Sequence, residues 1–378
     1  MLKFFRLPLS WRRYSMRVFP LVALVCAVAI LAPSAQRKKK KEEETQTLQL
    51  PKDLPASVAG DTRHLRFLVT PLSGKGLLSQ QAHDALRALS REAGGDTVLH
   101  IRAFAAGSGD LRRIRDLVSE FFTEKRQSLP SLSLVQSGGL PFEGAQVVLE
   151  ATVAGKKDSA PNGLAFLSAQ MAASDSPTDP VEPLTTKALA GLRDSVKSAG
   201  LEAADVARVT CYFSSLDNFA ASRKLVEAEY PRAALNYVQP IRSPERALAA
   251  CEAVARLRRA PSGGTLRIGP EDGQSRVAFL IAPQAVFTGT QNSFGYQEQD
   301  TRLAFDRLQK ALEQAGASVR DAACVRYYPL STGIAAQIRK VRAGFFDAAH
   351  SPAGALLLFE GLTSMDAGFA VDAVAGKN

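Results

Sequence analysis

Only four of the 378 residues are cysteine, four are histidine and one is tryptophan. The histidines, His64, His83, His100 and His350, are scattered without metal-ligand spacing, and no two cysteines stand as CxxC. No metal and no cofactor is expected. A glycine-rich phosphate loop is also missing. The nearest stretch, "GKGLLS" from Gly74, lacks the second glycine and the Lys-Ser/Thr pair. Acidic residues are absent from the first 41 positions, which hold ten Lys or Arg. The net charge of +10 therefore belongs to this leader, since the other 337 positions hold 37 basic and 37 acidic residues. No basic cluster is interleaved with aromatics, so nucleic acid is not an expected partner.

The leader is read first. Lys3, Arg6, Arg12, Arg13 and Arg17 precede an apolar run from Val18 to Ala32. Those 15 residues make about 22 Å of helix, short of a ~30 Å hydrocarbon core. Small residues follow in "APSAQ". This layout predicts a signal peptide over 1–35 and an exported protein, periplasmic or secreted, with no membrane contact after cleavage. Retained, the same segment is an N-terminal anchor. Residues 36–60, with "RKKKKEEETQTLQLPKDLP", read as a disordered charged linker. Without the leader, and with it Cys26, three cysteines remain. Cys211 and Cys251 lie in strand-like runs. They bond if those strands are neighbours in an oxidising compartment, and are buried thiols otherwise.

One order of elements occurs three times. "TTKALAGLRDSVKSAG" (185–200) carries Leu189, Leu192 and Val196 on one helical face. The strand "DVARVTCYF" follows, then the helix "NFAASRKLVEAEY", stopped by Pro231, then strands "AALNYVQ" and "ALAACEAVA". From Thr301 the order recurs, with a second helix before Pro352 and strands "GALLLFEGL" and "GFAVDAVAG". A fainter copy starts at Gln80, with strand "DTVLHIRAFAA", helix "DLRRIRDLVSEFFTEK" and Pro130. From each proline to a later acid the interval is nearly constant: Pro130 to Glu150, Pro231 to Glu252, Pro352 to Asp372. Three α+β repeats are expected, at 61–155, 156–260 and 261–378, the first the most divergent.

"GLEAADVARVTCYFSSLDNFAASRKLVEAEYP", with "CEAVARL" after it, resembles the RidA/YjgF family of reactive-intermediate deaminases. "LAFLSAQMA" resembles that family's early strand, its serine-glycine-glutamine motif reading Ser168-Ala169-Gln170 here. The resemblance implies a chorismate-mutase-like unit, a mixed sheet with two helices on one face. It also implies homotrimers with ligand clefts between subunits. Three joined repeats then form an intrachain pseudo-trimer, and the chain is expected to be a monomer.

Deaminases of this family hydrolyse enamines and imines such as 2-aminoacrylate. An arginine at the third position of a proline-alanine-arginine motif grips the substrate carboxylate, and an acid on the last strand positions water. The arginine's place is taken here by Leu132, Ala233 and Gly354, and the acid's by Val148, Ala250 and Ala370. The family's second acid survives as Glu150, Glu252 and Asp372, which read as structural acids bonding nearby backbone or a neighbouring repeat. The glycine-proline-tyrosine segment is missing. Catalytic residues are therefore not assigned. Arg232, one residue early, Asn236, Arg326 and Glu252 are the candidate ligand-binding residues. Arg232 and Asn236 otherwise read as solvated positions after a helix, and Arg326 as a solvent-facing strand residue. The expected function is non-catalytic binding of a small carboxylate-bearing metabolite in clefts between repeats. A deaminase with relocated residues and a partner-binding scaffold are the alternatives.

Overall fold

The computed structural model describes residues 51–378 except 108–109, 262–266, 272, 348 and 350. The expected signal peptide, residues 36–50 of the expected linker, and His350 lie outside the described residues. The remainder of that linker does not stay irregular. It ends in a strand, β1 (Ser57–Asp61).

The first repeat continues with β2 (Leu65–Val69), α1 (Leu78–Ala93), β3 (Thr97–Ala106), α2 (Leu111–Glu124), β4 (Ser131–Ser137) and β5 (Val147–Ala154). The second comprises β6 (Leu164–Ala173), α3 (Val181–Ser198), β7 (Val206–Phe213), α4 (Phe219–Glu229), β8 (Ala234–Val238) and β9 (Leu248–Arg256). The third opens with β10 (Arg267–Glu271), β11 (Gln274–Leu280), β12 (Gln284–Thr288) and β13 (Gln291–Phe294). It goes on through α5 (Glu298–Gln314), β14 (Ala322–Pro329), α6 (Thr332–Arg342), β15 (Ala353–Leu356), β16 (Gly361–Leu362) and β17 (Ala367–Lys377). Among the described residues these make three mixed sheets and six helices.

The repeats share their details. In each, a strand, a helix and a parallel strand form a crossover: β3 with β4, β7 with β8, β14 with β15. The last long strand then pairs antiparallel on the other side of the first. Each of those ladders slips at the same place, between Val98 and His100, Val206 and Arg208, and Ala322 and Cys324. Each first helix runs into a glycine at positive φ: Gly94 (61°), Gly200 (70°) and Gly316 (79°). That conformation stops a helix cheaply only where there is no Cβ. The apolar stripe expected on α3 is buried, and α1 and α5 carry corresponding ones. Leu86 and Leu89 of α1, Leu189, Leu192 and Val196 of α3, and Phe305, Leu308 and Leu312 of α5 are buried. Helices α3 and α5 begin before their expected starts at Thr185 and Thr301. The first turn of α5 is polar, and that of α3 adds Val181 and Leu184 to the core and holds Pro183, which is tolerated there because the first turn's amides lack helical partners.

The repeats also exchange strands. β1 pairs with β12 in the third sheet while β2 stays in the first. β11, within the segment expected to belong to the third repeat, pairs with β6 of the second. β16 of the third pairs with β4 of the first. A sheet edge presents unpaired amides and carbonyls, and these segments cover edges of neighbouring sheets. Three apolar clusters lie between a sheet and its own helices. Two more, around Phe166 and Phe287 and around Phe104 and Phe359, draw side chains from all three repeats. The sheet faces away from the helices therefore meet at a common centre.

Candidate functional site

Register fixes which residues correspond. Arg102 sits opposite Glu150, Thr210 opposite Glu252, and Arg326 opposite Asp372. Two residues back on the same strands stand His100, Arg208 and Cys324. Two residues on stand Phe104, Tyr212 and Tyr328, opposite Val148, Ala250 and Ala370. Side chains two apart on a strand share a face, so these sets form three levels of the central core.

The middle level, together with Arg208 from the level beside it, is ionic and buried. Arg102 Nε donates to Glu150 Oε2 at 2.8 Å, and its Nη2 reaches Glu252 Oε1 at 2.8 Å and Thr210 Oγ1 at 3.1 Å. Arg326 Nε donates to Glu252 Oε1 at 3.0 Å, and its Nη1 lies 3.5 Å from Asp372. Arg208 lies 3.4 Å from Glu150 and 3.7 Å from Glu252. Thr210 and Asn236 donate to Glu150 Oε1, and Tyr328 donates to Asp372. All six charged side chains are at most 5% exposed. Three guanidiniums thus face three carboxylates with no net charge. Burial by itself raises the Glu252 carboxyl, but Arg326, Arg102 and Arg208 more than offset this and hold it at about 2. His100, stacked on Phe287 and 3.0 Å from Ser131 Oγ, is lowered to about 4, chiefly by burial.

This revises the candidate ligand residues. Glu252, Arg326 and Asn236 belong to the buried network and bind one another, with the surviving acids Glu150 and Asp372. Arg326 is not solvent-facing, and Asn236 is buried rather than solvated. Arg232 lies exposed in the turn after α4. The register also moves one equivalence. Leu132 pairs with Ile101 and Gly354 with Val325, and the matching position opposite Val209 is Leu235, not Ala233. Arg232 is therefore three residues from Leu235, the position that matches Leu132 and Gly354. The proline count misplaces it because β8 starts two residues later after its proline than β4 and β15 do.

Clefts open between consecutive repeats. The one between the first and second measures about 320 Å³ and is lined by Thr70, Phe142, Val148, Leu235 and Asn236. Arg223 on its wall pairs with Glu227 at 2.6 Å, so its charge is matched. Between the third and first, the backbone closes in: Thr290 N donates to Leu132 O at 3.1 Å, and a Cβ on Gly289 would stand 2.6 Å from that oxygen.

The cleft between the second and third repeats measures about 270 Å³. Ser168, Gln170 and Ala250 come from β6 and β9, Gln274 and Arg276 from β11, Gly354 and Leu357 from β15 and its exit, and Arg339 and Arg342 from α6. No Asp, Glu, His or Cys is among the described residues that line it. Ser168 is not poised as a nucleophile, since its Oγ accepts from Gly354 N at 2.9 Å and donates to Ser275 O. Gly354 has no room for a side chain. A Cβ there would lie 2.3 Å from Val325 O and 3.2 Å from Gln274 Nε2. Among the described residues Gln274 Nε2 has no hydrogen-bond partner, and Arg342 lies against the Tyr327 ring, 5.9 Å from its centre.

The chain resembles solved structures of the YjgF family. A family member from Mycobacterium tuberculosis is 24% identical, with 30% of this chain and 98% of that one covered at a TM-score of 0.24. A YjgF-family protein from Neisseria meningitidis is 15% identical, with 30% and 96% covered at a TM-score of 0.24. No family model and no curated protein matches the chain. Each of these YjgF structures therefore spans about the length of one repeat.

Residue-level sequence reading missed Arg102, Arg208, Gln274, Arg276, Arg339 and Arg342. A signal existed for two of them: Arg102 in "HIRAF" and Arg208 in "VARVT" are single charges inside apolar strands, as Arg326 is in "CVRYY". The other four lie on elements that only the exchange of strands and the packing of α6 bring to one cleft.

Proposed function

We propose that this chain binds a small carboxylate-bearing metabolite, without catalysis, in the cleft between its second and third YjgF-like repeats. The observation that carries this is the convergence of Arg339 and Arg342, with the Gln274 amide, on a cleft with no acidic lining residue among those described. A guanidinium and an amide donate and do not accept, which suits a carboxylate. Hydrolysis of an imine also needs a group that gives and takes protons. Ala250 and Gly354 stand where the family has its acid and its arginine, and no replacement base lines the wall.

In this reading the protein is exported and acts as a monomer. The Cys211–Cys251 disulfide supports an oxidising destination. The scaffold alternative is favoured only by the two other clefts, one closed and one charge-matched.

The test is calorimetric titration with propionate beside an assay of 2-aminoacrylate hydrolysis. Saturable binding weakened by Arg339→Gln, with no turnover above the uncatalysed rate, is expected. Arg232→Ala should change neither measurement. Turnover at a rate comparable to an active family enzyme would overturn the reading.

A further inference from the structure

The arginine cleft does not end at its charged wall. Met171, Arg339, Leu356 and Leu357 line it and also line a second cavity of about 270 Å³. The second cavity is apolar. Pro240, Ile241 and Pro244 from the β8–β9 connection and Leu248 at the start of β9 form one side, and Leu357 and Leu358 after β15 the other. Its charged residues besides Arg339 are Glu245 and Arg246, both solvent-exposed. Met171, 60% exposed, stands where the two cavities meet. A thioether with three rotatable bonds adapts to different apolar shapes.

We propose that the ligand is an amphipathic anion, with an oxyanion head held by the arginines and an apolar tail lying in the adjoining trough. The inference rests on the cleft reading above and adds the tail. Two features argue for it together. An apolar trough on a soluble surface keeps its side chains in water until something covers them, and the covering group gains in proportion to the apolar area removed. The trough also opens beside arginines, so an occupant placed by its charge extends its remaining atoms over Leu356, Leu357 and Ile241. A free hydrocarbon lacks the head that would place it, and a short acid leaves the trough uncovered. Arg339 lines both cavities and is the residue at which head and tail meet.

Calorimetric titration of the intact protein with propionate, decanoate and 1-decanol separates the possibilities. Decanoate should bind at least about tenfold more tightly than propionate, because each buried methylene contributes to affinity. Decanol should show no saturable binding below its solubility limit. Ile241→Asp, which puts a charge in the trough, should remove most of decanoate's advantage, and Arg339→Gln should weaken both acids. Far-ultraviolet circular dichroism and melting temperature confirm that each variant is folded. Equal affinity for propionate and decanoate would overturn the tail while leaving the carboxylate cleft standing. Failure of every acid to bind would overturn both. Decanoate binding indifferent to both substitutions places it elsewhere and also overturns the proposal.

Discussion

Arg102 donates to two acids from two different repeats, Glu150 and Glu252, at the centre of the molecule. Removing one member of a buried ion network leaves its partners charged and unsolvated, which costs more than the network is worth as a whole. Arg102→Met is therefore expected to lower unfolding free energy by about 3–5 kcal/mol in urea titrations. The double substitution Arg102→Met/Glu150→Gln should recover part of that loss, and a double variant no better than the single would refute the pairing. The same buried core makes stability acid-sensitive. His100 falls from 6.5 to about 4 on folding, so the unfolded chain takes up its proton first as pH drops. Its contribution is complete above pH 6.5 and is lost as pH falls toward 4. Glu252 falls from 4.5 to about 2, so its contribution is complete above 4.5 and is lost below that, toward 2. Melting temperature should thus begin to decline below about pH 6.5, and His100→Gln should flatten the upper part of that decline. Gly354 gives a third expectation. Gly354→Arg, which puts at this position the arginine that the resemblance leads one to expect, meets the Val325 carbonyl at the first side-chain carbon, and should destabilise by about 1–3 kcal/mol rather than create activity.

Among elements, β7 and β9 matter most for the thiol chemistry. They are neighbours, Cys211 lies opposite Cys251, and the Cα atoms are 4.2 Å apart. Both sulfurs sit in the apolar cluster under α3 and α4. The bond closes a loop that already spans the crossover helix α4. Its reduction is expected to cost about 2–4 kcal/mol, seen as a lower urea midpoint in reductant. Cys324 is left free and buried, its thiol pushed up to about 11. Thiol titration in denaturant without reductant should therefore count one thiol per chain if the leader is removed, and two if Cys26 is retained. A count of three or four would remove the disulfide. In the folded protein the count should fall toward zero for the cleaved chain, because Cys324 is buried.

At the scale of the whole molecule, three repeats cover one another's apolar sheet faces. β1, β11 and β16 each complete a sheet that belongs to a different repeat. The central clusters are built from all three, so no repeat presents that face to solvent. Size-exclusion chromatography with light scattering should give the mass of one chain at micromolar concentration. A stable particle of three chains would mean that the faces are completed between molecules instead.

The order of elements was legible from periodicity and punctuation. An apolar stripe and a glycine stop placed α3, the recurring order of elements gave the threefold repetition, and the proline-to-acid interval supported it. These are local signals, set by which residues a helix or strand must bury and by which backbone angles glycine alone adopts cheaply. That Leu132, Gly354, Val148, Ala250 and Ala370 are neither arginine nor acid is a matter of residue identity and needs no packing to read. The location of the charges was not. Arg326 reads as a surface residue, with an anchor as the alternative, until three strands from three repeats are brought within hydrogen-bond distance. Arg232 reads as adjacent to the site until the register of β8 moves the equivalent position to Leu235. The cleft with Arg276, Arg339 and Arg342 depends on β11 crossing to the second sheet, a pairing between segments more than a hundred residues apart. Local pattern determines what each segment is. Only the packing of the three sheets decides which charges meet inside and which come to line a cleft.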